Sequence, residues 1–252
     1  DQSPVDLGTL GGKRTLAEAL NNAGQVSGLS ENTNGELMPF IWESGTISNL
    51  VTDSQGWQFI RITGMNDNGL VVGNGMLNGQ DRAFAIAKGA ITDLGSLNSG
   101  DFGTSATGVN NLGQVVGGSG GQPFVWQEGL MHPLPVGDGF TAVAHDINNV
   151  GQVVGAMAID GNPTNRTAAL WDVSPGKVQS LVFGHRTFPT WDVWDAVAIN
   201  DSGHIVGDTG YQISSYILTP VPEPVNVLLI LSALPPWLLF ICQRNVHSLR
   251  NI

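Results

Sequence analysis

The chain has 252 residues, 34 of them Gly and 13 Pro, and carries a formal net charge of −11 on 21 acidic and only 10 Lys and Arg side chains. Such a surface repels a phosphate backbone, which excludes nucleic acid as an expected partner, and it favours solubility and neutral or cationic ligands. A lone cysteine, Cys242, excludes an internal disulfide framework, while 41% hydrophobic residues supply a core, so the glycines mark turns rather than disorder.

The chain opens at Asp1 without a signal-like segment, which leads us to expect a processed or truncated N-terminus. The first element is Val5-Asp6-Leu7-Gly8, a close match to Thr92-Asp93-Leu94-Gly95 further on. Next comes a small apolar strand, Ala17 to Leu20, then the turn Asn21-Asn22-Ala23-Gly24 and a second strand, Gln25-Val26-Ser27-Gly28. Asn at the first turn position bonds its own backbone, and Gly at the fourth takes positive φ without a Cβ clash, so the segment reads as a hairpin. A third strand, Phe40-Ile41-Trp42, a Gly turn at Gly45 and a fourth strand ending at Leu50 complete the unit.

The same order returns four times. The turns are Asn66-Asp67-Asn68-Gly69, Asn110-Asn111-Leu112-Gly113, Asn148-Asn149-Val150-Gly151 and Asn200-Asp201-Ser202-Gly203, and successive first Asn residues lie 45, 44, 38 and 52 apart. The matching third strands are Phe84-Ala85-Ile86, Phe124-Val125-Trp126, Ala169-Leu170-Trp171 and Tyr216-Ile217-Leu218. Gly89, Gly129 and Gly176 introduce the fourth strands, which end at Leu94, Leu134 and Leu181. Four short strands in about 45 residues is the format of a propeller blade. The fifth unit stops at Thr219 without its fourth strand. The sequence therefore predicts an all-β, five-bladed, monomeric β-propeller over residues 1–219, with Val5 to Gly8 closing the last blade and removing an exposed edge. An open β-solenoid is the alternative.

At Pro220 the composition changes. Residues 220–224 form a proline-rich break, and Val225 to Cys242 is an 18-residue, mostly apolar run within the 225–252 tail. As a helix it spans about 27 Å, marginal for a bilayer core, and a weakly basic end with Arg244, His247 and Arg250 follows.

Candidate chemistry is sparse. Gly117-Gly118-Ser119-Gly120-Gly121 lacks the following helix of a phosphate site. The turn at Asn66 lacks the downstream Glu of a calcium loop, and the five His residues have no metal-ligand spacing, so neither metal nor cofactor is expected. Glu18, Asp146 and Asp195 depart from small or apolar sister positions; converging in a central funnel, such carboxylates are what a glycoside hydrolase needs. More regular are the aromatic residues eight or nine positions before each turn Asn: Trp57, Phe102, Phe140 and Trp191, with Trp194 nearby and Lys13 in the first unit. Exposed on the face opposite the Asn turns, they are candidate stacking platforms for sugars.

Two resemblances extend this reading. Asp6 to Gly12, with the repeated Asn-x-x-Gly-Gln-Val-Val-Gly and Phe-x-Trp segments, resembles the HAF family of probable extracellular repeats over about 215 residues. Val221-Pro222-Glu223-Pro224, the apolar run and the basic end resemble the PEP-CTERM sorting signal of Gram-negative bacteria. That likeness implies recognition of Pro222, Glu223 and Pro224 by an exosortase, transient membrane anchoring through 225–242, and an extracellular or outer-surface location. The expectation is a non-catalytic protein that binds extracellular polysaccharide or matrix; a glycoside hydrolase and a structural matrix protein without a defined ligand are the alternatives.

Overall fold

Five Asn-x-x-Gly turns set the architecture. In each, the Asn side-chain oxygen accepts the amides two and four residues on, as Asn66 does from Asn68 (3.0 Å) and Leu70 (2.9 Å). The amide of the fourth residue, Gly69, returns to the Asn66 carbonyl at 3.1 Å with φ of 77°. That left-handed value suits glycine, because a Cβ there crowds the backbone. Gly24, Gly113, Gly151 and Gly203 repeat it with φ between 76° and 85°.

The computed structural model describes residues 3–98, 103–159, 166–174, 177–182, 193–209 and 214–220. The described residues are all-β and form five small antiparallel sheets, each a simple meander in chain order. The first comprises β1 (Gly11–Leu20), β2 (Val26–Asn32), β3 (Leu37–Glu43) and β4 (Thr46–Asn49), and the second β5 (Trp57–Met65), β6 (Val71–Leu77), β7 (Gln80–Ala87) and β8 (Ala90–Asp93). In the third are β9 (Thr104–Val109), β10 (Val115–Ser119), β11 (Gln122–Gln127) and β12 (Leu130–Pro133). The fourth holds β13 (Phe140–Ile147), β14 (Gln152–Ile159), β15 (Arg166–Ser174) and β16 (Lys177–Val182). β17 (Val193–Ile199), β18 (Ile205–Thr209) and β19 (Ser214–Leu218) make the three-stranded fifth. Third and fourth strands join through two-residue turns such as Lys88-Gly89, with φ of 51° and 83°, the pattern of a type I′ hairpin.

The expected outer strand at Val5 to Gly8 does not form. Val5 is 67% exposed, and Gly8 is held instead to the first sheet, its carbonyl accepting the Thr15 hydroxyl at 2.7 Å. No closed propeller is formed by the described strands. The apolar run 225–242 and the sorting motif lie outside the described residues.

Each inner strand carries a bulge three residues before its Asn, at Glu18, Thr63, Thr107, His145 and Val197. The bulge explains the glycine that ends every second-strand run. A Cβ built on Gly28, Gly117, Gly155 or Gly207 would lie 1.9 Å from the carbonyl oxygen two residues before the bulge, and on Gly73 2.4 Å. Only a residue without a side chain lets the bulged backbone approach so closely.

Sheets pack in sequence, the inner strand of one lying on the second and third strands of the one before. Ile62 and Met65 pack with Leu29 and Met38, and Ala106 with Val72 and Ala85. Ala144 and Ile147 meet Val116 and Val125, and Ala196 and Ile199 meet Val154 and Leu170. Polar links from the strands accompany each contact. The Ile62 amide donates to Glu18 (2.8 Å), the Asn74 side chain brackets the Ala106 backbone (2.7 and 3.0 Å), Thr107 donates to the Ala144 carbonyl (3.1 Å), and the Ile199 amide donates to Asp146 (3.0 Å).

Candidate functional site

The five Asn turns gather at one end of the sheets around a depression of about 180 Å³, lined by residues of every turn from Asn21 and Asn22 to Asp201. Two tiers of hydrogen bonds run round it. In the inner tier the side-chain amide of each first Asn donates to the carbonyl of the next: Asn21 to Asn66 (3.3 Å), Asn66 to Asn110 (2.9 Å), Asn110 to Asn148 (3.0 Å) and Asn148 to Asn200 (3.0 Å). In the outer tier the backbone amide of each second residue donates to the next side chain: Asn22 to Asp67, Asp67 to Asn111, Asn111 to Asn149 and Asn149 to Asp201, at 2.6–2.9 Å.

Asp67 is the best-held acid of this rim. Its carboxylate accepts the side chain and amide of Asn22 and the side chain of Asn111, and those bonds hold it below the ordinary carboxylate range. Asn149 approaches Asp201 in the same two-bond manner. Hydrogen-bonding amides and carboxylates of this kind match the donors and acceptors of a neutral, hydroxyl-rich ligand.

The three candidate carboxylates are committed to polar links at two different sheet junctions. Glu18 is committed to the junction of the first and second sheets through Ile62. Asp146 joins the fourth and fifth, accepting the Ile147 and Ile199 amides; burial raises its carboxyl above the usual range, against the pull of those amides and of His145. Asp195 faces Arg166 and His145, each 2.9 Å away. The His145 Nε2 and Asp195 Oδ1 pair lacks hydrogen-bond alignment. Tyr216 donates to the Asp195 carbonyl at 2.8 Å, and burial first, then the Asp195 and Asp208 charges, raise its phenol.

The aromatic platforms fare differently. Trp57 and Phe140 open β5 and β13 at the ends opposite Asn66 and Asn148, as expected from the connections. Trp57 is nevertheless 6% exposed, stacked along Phe59 and edge-on to Phe84 at 5.3 Å, so it is core and offers no ring face to a sugar. Phe140 is half-buried against the cluster that includes Trp171. Phe102 and Trp191 lie outside the described residues, and of Trp194 only the backbone, within β17, is described.

Sequence reasoning treated the turn Asn residues as hairpin closures and missed their side-chain amides as links between units. The signal was present: a purely local turn has no need of a second Asn or Asp at the next position, yet all five turns carry one. Asn74 was also missed, although it follows its glycine where sister positions are Leu29, Gly118, Ala156 and Asp208. Among known proteins, no family profile and no curated protein matches this chain.

Proposed function

We propose that this chain is a secreted, surface-associated, non-catalytic protein that binds a neutral extracellular polysaccharide, built on a five-bladed β-propeller and exported with a cleavable tail. The observation that carries the reading is the rim of five Asn and Asp pairs around one depression, chemistry that complements hydroxyl groups from both the donor and the acceptor side. The resemblance of residues 221–224 to an exosortase signal supports export to the surface of a Gram-negative bacterium, with the membrane as a transient partner.

A structural matrix protein without a ligand is the second reading, favoured by the rim groups bonding one another. A glycan array with the full chain separates the two. Retention of neutral glycans that is lost in Asn22→Ala and Asp201→Ala variants supports the binding protein, and no retention above background favours the matrix protein. Release of reducing ends from a bound glycan would restore the glycoside hydrolase.

A further inference from the structure

We infer that the first and last sheets close on each other through a fifth junction built by the same rule as the other four; this rests on the five-bladed reading above. Both halves lie bare in the structure. Leu20 is 69% exposed, whereas its counterparts Met65, Ile147 and Ile199 are 4–8% exposed, and Ala17 is exposed where Ile62, Ala106, Ala144 and Ala196 are buried. On the last sheet the paired residues Val206 and Ile217 are 42% and 63% exposed. Their counterparts Val72 and Ala85, Val116 and Val125, Val154 and Leu170 are all buried under the next inner strand.

The polar groups repeat the pattern. At four junctions the first Asn donates to the next Asn carbonyl; among the described residues the Asn200 side-chain nitrogen has no such partner, and the Asn21 carbonyl receives only its own turn's Gly24 amide. Likewise, among the described residues, no side chain receives the Asp201 amide and no donor reaches the Asn22 side-chain oxygen. Asp208 follows Gly207 as Asn74 follows Gly73, so closure brings its carboxylate to the Ala17 amide as Asn74 meets Ala106. The occupant is the chain's own other end rather than a second copy, because Leu20, Asn21 and Asn22 on one side and Ile199 and Asp201 on the other already border the same depression of about 180 Å³. Such a small space holds no further unit.

The geometry of formed junctions supplies the test. A Cβ on Gly108 lies 3.3 Å from the Asp146 Cα, and one on Gly64 lies 3.1 Å from the Val109 Cγ1, so residues at these places approach one another closely across formed junctions. Ala198 and Ala19 hold the Gly108 and Asp146 places at the fifth junction. In the full chain carrying Cys242→Ser, Ala198→Cys with Ala19→Cys should form an intrachain disulfide on mild oxidation, and Gly64→Cys with Val109→Cys should do so at a formed junction. In parallel, Asn200→Ala should lower Tm by as much as Asn148→Ala. Covalent dimers, or no disulfide while the Gly64 and Val109 pair links normally, would overturn the closure and leave the five sheets intact. Failure of both pairs would overturn the blade arrangement itself.

Discussion

Gly117 shows how one atom sets a strand's path. Its missing Cβ admits the Ser105 carbonyl, which the bulge at Thr107 pushes inward. Gly117→Ala should therefore destabilise the chain by about 3 kcal/mol, in the upper range of overpacking, whereas Gly113→Ala, with open space around it but φ of 78°, should cost roughly 1–2 kcal/mol. Urea melts of both variants check the order. Trp57→Ala should cost about 3–5 kcal/mol as a core truncation and leave any glycan binding at the turn rim unchanged, readable by melts beside the array. Two acids respond to pH with opposite sign. Asp67 is depressed, so its contribution is present above the ordinary carboxylate pKa of about 3.9 and disappears as pH falls through its lower folded value. Asp146 is raised, so its contribution is fullest below about 3.9 and is lost as pH rises through its folded value. The stability deficit of Asp67→Asn should thus shrink below about pH 4, while Asp146→Asn should gain on the native chain as pH rises above it. Denaturation measured from about pH 2.5 to about pH 7, on both sides of the ordinary carboxylate pKa, decides both.

The turns are the elements whose loss spreads. Asn110 is 3% exposed; its oxygen holds Leu112 and Gln114, and its nitrogen holds Gln114 and Asn148. Asn110→Ala strips one turn and one link between sheets together, and should cost about 3 kcal/mol, seen as a fall in the urea midpoint. Strand order, hairpin closure and the terminal Leu50, Leu94 and Leu134 were legible because alternation and turn residues are local signals. Bulges were not. Displacing one residue leaves the two-residue period readable on either side, and only the repeated glycine on the partner strand betrays it. The Trp57 segment was placed at the right end of its strand, but its ring was misread. An aromatic residue beside a long connection reads the same whether its ring turns outward or, as here, inward onto Phe84.

For the whole molecule, five units were countable from the spacing of the Asn turns, but repetition tells only that neighbours are alike. Whether the last unit meets the first depends on accumulated angle, which no residue states. Net charge is legible and has a direct consequence. The chain carries −11 at neutral pH with a pI near 4.6, so self-repulsion should vanish near that pH and light scattering should rise there, then fall as pH is raised. Asn22 and Asp201 belong to the same scale, since a rim exists only when all five turns contribute to it. The one-way run of side-chain amides onto the following carbonyl has a further implication, for heredity. Each copy recognises only its successor, and every copy offers the same acceptor to its predecessor. A gene duplication or deletion of one whole repeat therefore keeps the inner tier of Asn links intact at the new joint, while the other polar links, which differ from junction to junction, must be matched afresh.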